Sequence, residues 1–212
     1  MAKNSSLEVK RFGKGKERVT VAVLPGHEFE AKHFDPANLE LIGALSGRVH
    51  RFKSRILPNE HFVRKSLYWT GVGALSAVNE AKVARFANQV AKANGFHDIT
   101  VEEPLAVHYS SNTSPHVFYR AIPLKIEGHG VNALGEPFTI LAMHNSQHLK
   151  RVRQFIDKLR EVGIIPRDIF KNGHEDDPQF FIGADDRIHI YDVEYWRPSA
   201  ELKKLLKLRK ET

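Results

Sequence analysis

A chain of 212 residues with twelve histidines and no cysteine excludes disulfides, thiolate zinc sites and cysteine nucleophiles, so any metal must be held by oxygen or imidazole. Its 42% hydrophobic content suffices for a buried core, no run of about 18 apolar residues is present, and the first residues lack the apolar stretch of a secretory leader. The expectation is a soluble, cytoplasmic protein with no membrane partner. A net charge of +7 suits an anionic partner (a nucleotide, a nucleic acid or an acidic protein surface), with much of the excess in residues 10–16 and 203–210.

Residues 1–18 read as a basic N-terminal segment. Residues 19–24 form a β-branched apolar run ended by Pro25-Gly26, and Leu39-Glu40-Leu41-Ile42 leads into Gly43-Ala44-Leu45-Ser46-Gly47. Residues 48–55 and 61–68 are two further strands joined by a hairpin at 57–60. At Ser76 the pattern changes to helix, with Ser76 as N-cap, an alanine-rich interior and Asn94-Gly95 as the stop. Glu80 precedes Val83 by three residues and Ala87 by seven, which puts it on that helix's apolar stripe. Such a carboxylate either answers the helix dipole as a first-turn acid or is buried and needs a cation.

Residues 99–108 and 116–122 predict another strand pair around a loop at 110–115, while residues 123–144 show no clear period. A second amphipathic helix starts near Ser146, carries Leu149, Val152, Ile156 and Leu159, and stops at Gly163. Residues 180–182 and 188–191 flank an acidic turn and predict a hairpin that exits into Asp192-Val193-Glu194. In an extended exit Asp192 and Glu194 face one side, where a carboxylate pair can hold Mg²⁺; the plainer alternative makes Asp185, Asp186 and Asp192 ordinary turn and strand-end acids. Ser199 caps a last amphipathic helix. The order of elements predicts an α+β class with an antiparallel sheet.

Over residues 39–196 this order resembles the protein kinase-like fold. The stretch Gly43-Ala44-Leu45-Ser46-Gly47-Arg48-Val49 matches the family's Gly-rich turn, so the resemblance implies that Gly43, Ser46, Gly47 and Val49 contact the nucleotide. Lys65, sixteen residues after Val49, matches the strand lysine on the α- and β-phosphates, and Glu80 matches the helical Glu that pairs with it. Arg64, of opposite parity in the strand, is the rival cation. Asp168 in Ile164-Ile165-Pro166-Arg167-Asp168 matches the Asp of His-Arg-Asp that accepts the substrate hydroxyl proton; Pro166 stands for the His. Asp192 matches the Mg²⁺-binding Asp, Gln179 the Asn that is the second ligand, and Glu194 replaces a Gly.

The resemblance implies a kinase-like α+β fold: an antiparallel, nucleotide-binding N-lobe at 19–122 with one helix, and a reduced, mainly helical C-lobe at 123–212. It implies an ATP- and Mg²⁺-dependent phosphotransferase acting on a protein or small-molecule hydroxyl. Gln179 follows Asp168 by eleven positions, against about five in the family, so His174, Asp176 and Asp177 are alternatives to Asp168. Pro166, Gln179 and Glu194 favour an inactive pseudokinase scaffold. A basic nucleic-acid-binding protein is the rival class, carried by the charged ends and by residues 48–55, where cations alternate with Phe52. His144 and His148 form an i,i+4 pair without the Glu of hydrolytic zinc helices, and no Gly-x-Ser-x-Gly elbow is present.

Overall fold

The structure, a computed structural model, describes residues 6–15, 18–46, 49–66, 76–110, 113–131, 137–141, 144–167, 169–170, 180–191 and 193–208. The chain divides into two compact units. Residues up to Ala81 together with Glu103–Ala121 form the first, and Lys82–Glu102 with residues 122–210 the second. In chain order the elements are β1 (Glu8–Phe12), β2 (Val19–Val23), β3 (Leu39–Ser46), β4 (Val49–Ser54), β5 (His61–Ser66), α1 (Ala77–Ala93), β6 (Ile99–Val101), β7 (Ala106–Ser110) and β8 (Thr113–Arg120). There follow β9 (Ile126–Val131), β10 (Pro137–Leu141), α2 (Ser146–Glu161), β11 (Ile164–Ile165), β12 (Phe180–Ile182), β13 (Ile188–Ile190), β14 (Arg197–Pro198) and α3 (Ala200–Leu205).

The first unit is built on a seven-stranded antiparallel sheet in the order β1-β2-β7-β8-β5-β4-β3. Period-2 alternation gives it two faces. One face carries Val21, Val23, Phe52, Phe62, Ala106 and Phe118, and the segment 27–38 lays Phe29, Ala31 and Phe34 onto it. Phe34 sits 4.9 Å from Phe62 and 5.6 Å from Phe118, centroid to centroid, at tilted to edge-on angles that suit the ring quadrupoles. Burying each such ring stabilises the unit by about 1.5–3 kcal/mol. Histidines pin the covering segment: His27 Nε2 donates to the Leu105 carbonyl at 2.9 Å while its Nδ1 accepts from Phe29 N at 3.2 Å, and His108 Nε2 donates to the Phe34 carbonyl at 2.6 Å. The basic stretch of residues 8–12 is therefore a paired edge strand, with Glu8 accepting from Ala31 N at 3.0 Å.

Short pieces of sheet make up much of the second unit. β12 and β13 form the anticipated antiparallel hairpin, and β6 adds to β13 in parallel. The Asn88 side chain of α1 bonds both the N–H and the C=O of Val101 at 2.8 Å, as a neighbouring strand would, and so satisfies that backbone at the sheet edge. β9 pairs with β10, and β11 with β14. Helix α2 buries Val152, Phe155, Ile156 and Leu159, and its Arg151 grips Asp98 through two bonds of 2.9 and 2.5 Å while lying 4.5 Å over Phe96. Helix α1 ends in the Schellman pattern, with Phe96 N bonded to Ala91 O at 2.9 Å around Gly95 at φ 73°.

The expected fold class is overturned. The described residues form a predominantly antiparallel β structure, not a kinase-like α+β fold with a reduced, mainly helical C-lobe. Beyond residue 122 only α2 and the short α3 are α-helical among the described residues, against the six strands β9 to β14. The sequence itself predicts α2 and α3 here, and only the resemblance implies a mainly helical lobe. Residues 123–144 themselves have no 3.6 period, and those described there pair as β9 and β10. The divisions at 18/19 and 122/123 also differ from the contact-based one, which assigns Lys82–Glu102 to the second unit.

Two glycines at positive φ give a graded test. Gly95 has open space where a Cβ would go, whereas at Gly163, φ 86°, a Cβ would lie 2.8 Å from Ser199 Oγ, the cap of α3. Gly95→Ala is expected to cost about 1 kcal/mol for its backbone conformation alone, and Gly163→Ala about 2 kcal/mol or more because the cap must also move. Urea unfolding that gives the two variants equal stability contradicts the packing at Ser199.

Candidate functional site

The register of β5 decides which cation faces helix α1. Val63 is opposite Tyr119 and Lys65 is opposite Val117 on β8; on β4 they are opposite Arg51 and Val49. Val49, Val63, Lys65, Val117 and Tyr119 therefore share one face. Arg64 points to the other, where its guanidinium carbon lies 4.8 Å from the centre of the Phe52 ring. Of the two rival cations, Lys65 is the one on Tyr119's side of the sheet.

Tyr119 leads to Glu80. Its hydroxyl donates to Glu80 Oε1 at 2.6 Å, and the two residues are 2% and 1% exposed. Glu80 N in turn donates to Ser76 O at 2.8 Å, the first full turn of α1, which begins one residue after Ser76 as the capping pattern predicts. A carboxylate this deep costs several kcal/mol unless it is compensated, and a hydroxyl donating to a charged acceptor returns about 1.5–3 kcal/mol. The reading of Glu80 as a buried acid on the apolar stripe thus holds. The sequence reading missed Tyr119 as its partner, although Tyr119 has the same strand parity as Val117 and the signal was available.

The Gly-rich stretch differs from expectation. Gly43 and Ser46 belong to strand β3, which is irregular between Leu41 and Gly43 and again between Ala44 and Ser46. A Cβ at Gly43 would meet nothing within 4 Å, so packing does not require glycine there. Gly47 lies outside the described residues, as do Asp168, Gln179, Asp192 and the alternatives His174, Asp176 and Asp177. Their described flanks are paired: Ile165 is opposite Arg197 and Phe180 is opposite Ile190. The extended exit proposed for 192–194 is corrected, because Val193–Tyr195 is a turn of 3-10 helix and Glu194 is only 8% exposed. Glu194 therefore offers no open carboxylate.

Other expectations meet specific geometry. Phe52, the aromatic of the basic strand, is buried in the first unit's core at 8% exposure and so is unavailable for base stacking. His148 Nδ1 accepts from Asn145 N at 3.2 Å while Asn145 Oδ1 accepts from His148 N at 2.9 Å, a capping box at the start of α2. Among the described residues no group of three or more His, Asp or Glu is placed to hold a metal, and no helix is long and apolar enough to cross a membrane.

A constellation unforeseen from sequence sits on β13. His189 Nδ1 meets Glu102 Oε1 at 2.7 Å and its Nε2 meets Asp185 Oδ1 at 3.2 Å. Burial pulls this imidazole down, but the two carboxylates outweigh burial and the net direction is up. Asp185 moves below its usual range although burial opposes it, because His189 and backbone N–H groups favour the anion. The clamp ties the hairpin turn and β13 to the residue that follows β6. Gly183 belongs to it, since a Cβ there would lie 2.3 Å from Asp185 Oδ1 and 2.6 Å from His189 Nε2.

Two outcomes follow from this geometry. Tyr119→Phe should lower stability by about 1–3 kcal/mol in chemical denaturation, and a loss under about 0.5 kcal/mol would mean that the hydroxyl is not compensating Glu80. For the clamp, the folded pKa of His189 is above its unfolded value, so its stabilisation is complete below the unfolded pKa and fades as pH rises through the folded one. Asp185 has the opposite sign, with its contribution lost as pH falls through its folded pKa. The stability gap between the native chain and His189→Gln should therefore narrow on raising the pH above about 6.5, and a gap that widens there refutes the clamp. No protein-family model matches this chain and no curated protein matches it.

Proposed function

We propose that the chain binds ATP with Mg²⁺ and transfers the γ-phosphoryl group to a hydroxyl of a protein or small molecule. One observation carries the reading: Lys65 lies on the same sheet face as Tyr119, whose hydroxyl bonds the buried Glu80 of α1. This cation, strand and helical acid are the groups that a kinase-like phosphotransferase uses to hold the α- and β-phosphates. The succession β3-β4-β5-β8-β7 in the sheet, with α1 inserted in the chain after β5, supports the same reading. The resemblance to kinase-like phosphotransferases is kept for this order of groups alone, not for the overall fold.

In this reading Val49 and Val63 give the apolar surface beside Lys65 on which a nucleobase can lie, and Lys65 neutralises phosphate charge while Glu80 orients it. Asp192 and Gln179 would hold Mg²⁺, which when bound neutralises charge on the β- and γ-phosphates. The acceptor oxygen attacks the γ-phosphorus, the bond to the β,γ-bridging oxygen breaks, ADP leaves, and the acceptor's proton passes to Asp168. Burial of Glu194 favours a second reading, nucleotide binding without transfer, because that acid cannot assist the metal from an open position.

Calorimetric titration with ATP and Mg²⁺ tests the binding step. Lys65→Ala is expected to weaken affinity about tenfold or more, equivalent to about 1.4 kcal/mol. Equal affinity in the native chain and Lys65→Ala removes Lys65 from the site, and Asp192→Ala with unchanged Mg²⁺ dependence removes the metal assignment. Phosphate transfer to a substrate panel, absent in Asp168→Ala, separates the transferase from the binding-only reading.

A further inference from the structure

Strand β5 sends a cation to each face of the sheet, and the proposed function uses only Lys65. On the opposite face Arg64 is opposite His50 of β4 and Phe118 of β8, while Ser66 is opposite His116, itself opposite His108 of β7. Ser66 Oγ and His116 Nδ1 are 3.0 Å apart. Arg64 Nε and His50 Nδ1 are shielded from solvent, and among the described residues neither has a hydrogen-bond partner. Buried donors of this kind are nearly always satisfied, so two on adjacent strands mark a place built for an acceptor.

The electrostatics agree. Burial alone pulls the Arg64 guanidinium below its ordinary range. His116 is lowered by burial first, then by the charges of Arg64 and His50, and His108 is pushed down to about 4, chiefly by burial. Among the described residues no carboxylate acts on Arg64, His108 or His116. His108 Nε2 is already committed to the Phe34 carbonyl. A guanidinium fork, two imidazoles and a hydroxyl remain, a donor set richer than the two oxygens of a carboxylate can use and suited to a tetrahedral dianion.

We propose that Arg64, His50, His116 and Ser66 bind a phosphate group, as free inorganic phosphate or as a small phosphomonoester, on the sheet face opposite Lys65. The bound anion supplies the acceptors that Arg64 Nε and His50 Nδ1 lack.

The test is thermal unfolding of the full chain at constant ionic strength, titrated with inorganic phosphate and separately with glycerol 2-phosphate. A saturable rise in Tm is expected with one or both. A rise with inorganic phosphate alone assigns the free ion, and a rise with both assigns the phosphoryl group. The rise should vanish in Arg64→Met and persist in Lys65→Ala, which separates this site from the nucleotide face. No saturable rise in the native chain, an undiminished rise in Arg64→Met, or its loss in Lys65→Ala overturns the proposal. Should Arg64→Met fail to fold, the imidazole ¹⁵N resonances of His50 and His116 in the native chain decide: they shift with phosphate if the site exists and stay fixed if it does not.

Discussion

Strict alternation along β5 is the constraint on which the first unit depends. The strand lies within the sheet with β4 on one side and β8 on the other, so its edges are paired and its side chains alternate between the two faces. Phe62 goes to the aromatic core, and Arg64, two residues on, stays on that side over Phe52. Val63 and Lys65 go to the other side, with Tyr119 and through it Glu80. A slip of register by one residue would bury Lys65 among phenylalanines and turn Phe62 toward Glu80. The aromatic packing and the separation of the two cations are therefore one fact.

Histidine does structural work through much of this chain. His27, His33, His108 and His148 each bond backbone groups in connecting segments, at short turns or at a helix cap. His189 differs in being held between two carboxylates, so its charge is part of the interaction rather than an accident of pH. His50 and His116 differ again, since they share a sheet face with the Arg64 guanidinium, and among the described residues no acid shifts His116. The same side chain thus serves as neutral donor, as cation and as anion receptor, and its neighbours determine which.

Much of the fold was readable where one period ran unbroken. Helices α1 and α2, their stops at Gly95 and Gly163, and the β12–β13 hairpin all have local causes in capping residues, positive-φ glycines and alternation. Pairing was readable between neighbours in the chain, as in β4 with β5, β7 with β8 and β12 with β13, but not between distant strands, because β6 joins β13 and β2 joins β7 through contacts that no local pattern specifies. The Gly43 to Ser46 stretch was taken for a turn because small residues favour one, yet here they sit in an irregular strand. Glu80 is legible from helical phase alone, whereas Glu194 is not, because a 3-10 turn over Val193–Tyr195 replaces the expected extended geometry. The mainly helical second lobe failed for a different reason: beyond α2 and α3, which have capping and period of their own, it rested on likeness to a family.

The central claim is that Lys65, rather than Arg64, faces the phosphates of a bound nucleotide. An acyl-phosphate derivative of ATP tests it directly, because a lysine amine beside the phosphates attacks the acyl carbonyl and releases ATP, leaving a tag that mass spectrometry can locate. The account predicts tagging at Lys65 that excess ATP with Mg²⁺ suppresses and that the Arg64→Met substitution leaves in place. Tagging spread over the terminal lysines with no protection of Lys65 by ATP would contradict it.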